Sequence, residues 1–201
     1  MWYMKMILNN QIVNKYIIEL PEIIDMIPPK EELWSHRTGV LEENQRAWDG
    51  QTWYETDIEV QSLFNPKFIE PGTTIDPYLT IKHEGKWMRP HIDNAPGRLA
   101  VIIYPIIPND YDIVYTDNMD WDMENQDTTF YESYDHKVPY DYNIIFRHKY
   151  RCPTMLNTKL PHAIEELRER RMLSFRINFG DSSWNFDDVV KLYKSGKMFN
   201  V

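Results

Sequence analysis

Met172-Leu173-Ser174-Phe175-Arg176-Ile177-Asn178-Phe179 is a short run rich in β-branched and aromatic residues, the composition of a strand rather than a helix. The same texture recurs upstream at Tyr142-Asn143-Ile144-Ile145-Phe146, Leu99-Ala100-Val101-Ile102-Ile103-Tyr104, Tyr78-Leu79-Thr80-Ile81-Lys82 and Ile58-Glu59-Val60. Pro71-Gly72, Asp76-Pro77, Pro96-Gly97 and Pro105 stand between these runs and punctuate rather than continue them. This is the rhythm of a sandwich or barrel, so a mainly β core with flanking helices is expected over about residues 56 to 180.

Outside that core, residues 1 to 55 read as an embellishment. Ile12 to Leu20 suits an edge or half-buried strand, Pro21 opens a short helix through Glu22-Ile23-Ile24-Asp25-Met26-Ile27, and Pro28-Pro29 can open another through Glu31-Glu32-Leu33-Trp34. Trp34, Trp48 and Trp53 are large anchors for packing this layer onto something else. At the other end, Asn185 and Asp188 form a capping-box start and Gly196 a left-handed stop, predicting a helix over 186 to 195. Residues 109 to 139 are the least strand-like part of the centre. Between Asp110 and Asp135 there are nine acidic side chains and no lysine or arginine, interleaved with aromatics. A folded excursion, a hairpin plus lid, is expected there, with a solvated surface loop as the plain alternative.

At 201 residues the chain is long enough for one hydrophobic core and short for two full-sized domains. A formal charge of −9 disfavours non-specific attraction to nucleic acid or to an anionic membrane surface. Cys152 is the only cysteine, which fits a reducing compartment. The apolar start is broken at once by Asn9, Asn10 and Gln11, unlike a secretory signal, and no apolar stretch approaches the length of a membrane span. A cytoplasmic location is expected.

The chemistry is concentrated in His91-Ile92-Asp93 and in His162, which follows Asp93 by 69 residues. In a strand, residues two apart face the same way, so His91 and Asp93 can point into one cavity. Antiparallel pairing can bring His162 beside them. Two imidazoles and one carboxylate can hold ferrous iron, Fe(II), with three adjacent positions open. An α-keto acid can fill two of these and leave one for dioxygen. The distal carboxylate of 2-oxoglutarate then needs a cation, for which arginine offers a planar two-pronged match. Arg171, nine residues beyond His162, is the first choice and Arg176 its competitor. Their strand parities are opposite, so they cannot both face the cavity in an unbroken strand, and Ser174 shares the parity of Arg176.

Arg89-Pro90-His91-Ile92-Asp93, Gly97-Arg98-Leu99-Ala100-Val101-Ile102-Ile103-Tyr104-Pro105 and Pro153-Thr154-Met155-Leu156-Asn157-Thr158-Lys159-Leu160-Pro161-His162 together resemble the iron(II)- and 2-oxoglutarate-dependent oxygenases, over roughly residues 75 to 180. Within that superfamily the resemblance is to small hydroxylase-like proteins often encoded by phage and marine bacteria, with some likeness to the aspartyl/asparaginyl β-hydroxylases. It implies a double-stranded β-helix, the cupin-like jelly roll. It also implies His91, Asp93 and His162 as iron ligands and Arg171 as the residue gripping 2-oxoglutarate. The aspartyl type lacks the carboxylate ligand that Asp93 supplies, and Asp93 also argues against the halogenating branch. Arg98 resembles the arginine near the cosubstrate in the aspartyl type, with a structural salt bridge as the alternative. Tyr104 shares its parity and could line the same wall, while Asn157 and Thr158 could orient the distal histidine or bound the cavity.

The activity expected is hydroxylation of an unactivated C–H bond of a small-molecule or peptide substrate, with succinate and carbon dioxide released. The acidic 109–139 segment suggests a cationic substrate over a nucleotide. Two other readings stay open: a metal-dependent isomerase or sugar-modifying enzyme on the same scaffold, and a jelly roll that binds without catalysis.

Overall fold

The computed structural model describes residues 11–41, 51–67, 72–85, 88–93, 97–108, 110–117, 143–165, 167–179 and 183–200. Trp48, the apolar start, and residues 109 and 118–139 of the expected acidic excursion lie outside the described residues.

Eleven strands are described: β1 (Ile17–Glu19), β2 (Arg37–Val40), β3 (Gln51–Thr56), β4 (Thr74–Lys82), β5 (Met88–His91), β6 (Arg98–Ile107), β7 (Asp112–Thr116), β8 (Ile144–Lys149), β9 (Thr154–Asn157), β10 (His162–Ile164) and β11 (Arg170–Asn178). They form a seven-stranded sheet in the order β1-β9-β6-β11-β4-β3-β2 and a four-stranded sheet in the order β5-β10-β7-β8, with antiparallel pairing throughout. From β4 to β11 the chain crosses repeatedly between the sheets, placing β4, β6, β9 and β11 in one and β5, β7, β8 and β10 in the other. That order is the double-stranded β-helix, or jelly roll.

Alternation along β11 divides the interior. Leu173, Phe175 and Ile177 are fully buried in a cluster with Ile18, Leu20, Ile23 and Leu33 from the N-terminal layer and with Phe186 and Val189 of the terminal helix. Met172 faces the other way, into a second cluster between the sheets with Ile103, Tyr111, Ile113, Tyr150 and Ile164. The helical layer therefore covers the outside of the large sheet and leaves the space between the sheets to the site.

Several predicted elements are present: β1, the 3-10 turn Pro21–Met26 with proline at its start, and the helix Phe186–Lys194, whose Asn185 side chain accepts from the Asp188 N–H at 3.2 Å. Gly196, at φ 68°, sits in the left-handed region that ends it. Two expectations are corrected. Ile58-Glu59-Val60 is not a strand: Glu59 accepts from the Gln61 and Ser62 N–H groups and so starts the 3-10 turn Gln61–Leu63, while Ile58 and Val60 are buried in the outer cluster. Asp112-Ile113-Val114-Tyr115-Thr116, inside the segment read as least strand-like, is the core strand β7. Its acidic surroundings concealed a β-branched run. Among the described residues no helix is long and apolar enough to cross a membrane.

β1 is fastened by an ion pair whose carboxylate is buried and whose guanidinium is partly exposed. Glu19 is fully buried and accepts from Arg151 Nε at 2.6 Å, Arg151 Nη2 at 2.7 Å and the Ile12 N–H at 2.8 Å. His148 Nε2 lies 3.8 Å from the same carboxylate, yet burial holds the imidazole down at about 4, against an ordinary value of about 6.5. Because the folded pKa is depressed, the unfolded chain takes up this proton first as pH falls. The contribution of neutral His148 is therefore complete above about 6.5 and is lost on descending towards 4. Denaturant midpoints should fall across that window, and His148→Gln should flatten the profile; equal slopes for the two proteins would refute this assignment.

Candidate metal centre and cavity

β5 and β10 pair antiparallel with His91 directly opposite His162, so the two imidazoles emerge side by side on one face, 4.3 Å apart between ring centroids. Both are about 3 % exposed. Asp93 joins them by a route other than the one expected. β5 ends at His91, so Asp93 stands in the segment that follows rather than two positions along a strand. Asp93 is held because its N–H donates to the Thr158 carbonyl at 2.8 Å and Lys159 Nζ donates to its carbonyl at 2.6 Å. Asp93 Oδ1 comes to 3.9 Å from His91 Nε2, and one ligand atom from each of His91, Asp93 and His162 lies within 4.8 Å of the others.

This donor set fits a divalent transition metal. His162 Nδ1 lies 2.9 Å from the Leu160 carbonyl, which can only accept, so Nδ1 carries the hydrogen. The Nε2 lone pair is left for a metal, and the backbone bond fixes the ring's orientation. With one carboxylate, the set is the two-histidine, one-carboxylate triad that leaves coordination positions open.

The triad lines a cavity of about 110 Å³ between the sheets. Arg98, Ser174, Arg176, Trp53 and Thr80 also line it, and Ile103, Tyr111, Ile113 and Met172 form an apolar wall. The Arg176 guanidinium lies 5.1 Å from the Trp53 ring centroid and 4.7 Å from that of Tyr78. Burial is the main cause lowering its pKa, and the neighbouring positive charge of Arg98 lowers it further.

Arg171, the first choice for the cosubstrate, is on the opposite face. β11 alternates without a break, so Met172, Ser174 and Arg176 face inward and Arg171 outward, where it stacks over Trp34 at 5.1 Å and donates to Glu169 at 2.9 Å. Counting nine residues from His162 fails because the connection between β10 and β11 sets the parity. Tyr104 is likewise not in the cavity. β6 takes an extra residue between Arg98 and Ala100 opposite Asn178 and Ile177, a bulge that reverses parity after Arg98. Arg98, Val101 and Ile103 thus face inward, while Tyr104 is buried in the outer cluster.

Asn157 does not line the cavity either. Its amide donates to the Lys15 carbonyl, and its side-chain oxygen accepts the Lys159 N–H. Thr158 acts through its carbonyl, holding Asp93. Trp53, read from sequence only as a packing anchor, and Thr80, not marked at all, line the cavity, whereas Arg170 lies beside it rather than in its lining. Arg170 shares the parity of Arg176 and is fully buried, 3.8 Å from the Tyr111 ring centroid, with its guanidinium donating to the Asp112 carbonyl. Parity could have found Arg170. Nothing local marks Thr80, and nothing local gives Trp53 a place at the site; both are brought in by the pairing of β3, β4 and β11.

No family model and no curated protein matches this sequence. Among solved structures, HygX from Streptomyces hygroscopicus with nickel and 2-oxoglutarate bound is similar at 8% identity and a TM-score of 0.43, covering 92% of this chain and 89% of that one. The same protein with hygromycin B also bound gives 8% identity and a TM-score of 0.41 over the same shares. A prolyl hydroxylase from Trichoplax adhaerens, in complex with a hypoxia inducible factor oxygen degradation domain peptide fragment, gives 13% identity and a TM-score of 0.40, covering 89% of this chain and 90% of that one. The fold assignment stands on the strand order rather than on these likenesses. Fold and site together define a jelly-roll protein with a metal-competent triad of His91, Asp93 and His162.

Proposed function

We propose that the protein is an Fe(II)- and 2-oxoglutarate-dependent dioxygenase that hydroxylates an unactivated C–H bond of a small or peptide-like substrate. The observation that carries this reading is the presence of Arg176 in the same cavity as the His91, Asp93 and His162 triad. A metal triad alone would suit an isomerase equally well; an inward guanidinium beside it suits a cosubstrate with a second carboxylate.

Iron held by the triad would supply dioxygen activation coupled to oxidative decarboxylation of 2-oxoglutarate to succinate and carbon dioxide. The residues of this chain do the rest. The Leu160 carbonyl holds His162 in the tautomer that presents Nε2, and the Thr158 and Lys159 contacts hold the Asp93 backbone. Arg176, flanked by Trp53 and Tyr78, binds the distal carboxylate of 2-oxoglutarate. Thr80 is about 2 % exposed and its hydroxyl has no hydrogen-bond partner among the described residues, leaving a donor in the cavity wall for the same ligand. The apolar wall around Ile103, Ile113 and Met172 limits water on the other side.

Anaerobic calorimetric titration tests the reading. The protein should bind one ferrous ion and then one 2-oxoglutarate, with cosubstrate binding dependent on the metal, and admission of air should yield succinate. Bound iron that leaves the protein indifferent to 2-oxoglutarate would overturn the assignment in favour of the isomerase or binding-protein readings.

A further inference from the structure

The pairing that sets His91 opposite His162 continues across the small sheet. His162 is also the direct partner of Tyr115 on β7, and Tyr115 that of Phe146 on β8, so one ring stands on each of the four strands in a single row. Directly opposed side chains share a face, and the ring centroids follow at 4.3 Å from His91 to His162, 6.0 Å on to Tyr115 and 6.1 Å on to Phe146. His162 therefore has a fellow triad member on one flank and a fully buried phenol ring on the other. The Thr116 N–H, donating to the Pro161 carbonyl at 3.1 Å, holds β7 against the start of β10.

The far end of this row is anchored to the large sheet. The Tyr115 hydroxyl donates to the Tyr16 carbonyl at 2.8 Å and reaches the Asn157 carbonyl at 3.3 Å, both of which can only accept. Tyr16 is itself held: its carbonyl also accepts the Asn157 N–H at 2.8 Å, and its own N–H donates to Asn14 Oδ1 at 2.8 Å. Its ring covers the end of the row, 5.0 Å from Tyr115 and stacked 4.7 Å from Phe146. Asn157 and Thr158 are consecutive, and the Thr158 carbonyl accepts the Asp93 N–H. One short stretch of backbone thus locates Asp93 directly and His162 through Tyr115.

We infer that Tyr115 is a positioning residue for the metal centre: its ring sets the lateral position of the His162 imidazole, and its hydroxyl, tied to Tyr16 and Asn157, sets the ring. This rests on the metal-binding part of the dioxygenase reading and not on the cosubstrate. The bond from Nδ1 to the Leu160 carbonyl fixes which nitrogen of His162 is free, but a single hydrogen bond leaves the imidazole able to tilt about it. The Tyr115 ring closes the side towards which that tilt would carry Nε2 away from His91 and Asp93. Tyr115 belongs to the inner cluster behind His162 and is outside the cavity lining, so it acts through the histidine.

The test uses the full chain titrated with cobalt(II), a divalent ion whose visible ligand-field bands report the arrangement of its ligands. Tyr115→Phe keeps the ring and removes only its tether; it should shift those bands while changing cobalt(II) affinity less than ~3-fold. Tyr115→Leu, which removes the ring as well, should weaken cobalt(II) binding by about 3- to 10-fold, the scale of one lost aromatic pair. Phe175→Leu is the comparison, truncating a buried ring of the outer cluster on the opposite face of the large sheet. It should lower stability and leave both bands and affinity as in the wild type.

Failure of the wild-type chain to bind cobalt(II) would remove the metal-centre reading, and the role of Tyr115 with it. Normal binding in the wild type with unshifted bands in Tyr115→Phe would overturn the role of Tyr115 alone. A folded Tyr115→Leu variant with wild-type affinity would do the same, as would bands shifted equally far in Phe175→Leu, since the effect would then be a general loosening of the fold. Because Tyr115→Phe keeps the packed ring, it decides the matter even if Tyr115→Leu does not fold.

Discussion

His162→Ala is expected to lower ferrous-iron affinity by more than ~100-fold, beyond the range found for losing an outer hydrogen-bond partner of a metal ligand. His162 is the residue that converts the local His91 and Asp93 pair into a three-ligand face, and its Nε2 is oriented by the bond from Nδ1 to the Leu160 carbonyl. The ring lies between β5 and β7 at the edge of the inner cluster, so its truncation leaves the large sheet and the outer core untouched. Metal analysis after equilibrium dialysis would read the loss, with far-ultraviolet circular dichroism checking the fold. A folded variant that retains one tightly bound iron would exclude His162 as a ligand.

Arg176→Leu should weaken 2-oxoglutarate binding by about 10- to 150-fold, corresponding to about 1.5 to 3 kcal/mol for a charge-assisted hydrogen bond. Iron affinity should change little, since the guanidinium lies among Trp53, Tyr78 and the cavity rather than in the triad. Arg171→Ala should leave 2-oxoglutarate affinity within about 3-fold, because this side chain engages Trp34 and Glu169 on the outer face and exposed pairs of that kind contribute below about 1 kcal/mol. Parallel titrations of the two variants decide between the arginines. The reverse pattern, with Arg171→Ala impaired and Arg176→Leu normal, would show that β11 presents its other face to the cosubstrate.

The contrast between these arginines shows how far local reading reaches. Strand alternation places Arg171 and Arg176 on opposite faces without saying which face meets the metal. That was decided by register: Arg176 lies opposite Val101 on β6 and Asp76 on β4, while Leu173, Phe175 and Ile177 turn to the helical layer. Tyr104 illustrates the complementary failure. Its shared parity with Arg98 would hold in a regular strand, but the extra residue in β6 reverses it, and a bulge is visible only when the partner strand is in place. Asp93 joins the cluster from the segment after β5, tied to Thr158 and Lys159, a backbone path that strand alternation does not describe.

By itself, the amino-acid sequence determined the chemical inventory and the local preferences: two histidines and an aspartate suited to one metal, five apolar runs with four of them falling in or across strands, and a helix started by Asn185 and stopped at Gly196. These follow from side-chain chemistry, short-range sterics and capping, which act over a few residues. Only the tertiary structure decided that His91 and His162 stand opposite one another, that β7 belongs to the core, and that Arg98 and Arg176, rather than Tyr104 and Arg171, face the cavity lined by the triad. The physical reason is that period-two alternation defines two faces but not their destinations; pairing between distant strands, with its bulges, assigns one face to the cavity and the other to the hydrophobic layer.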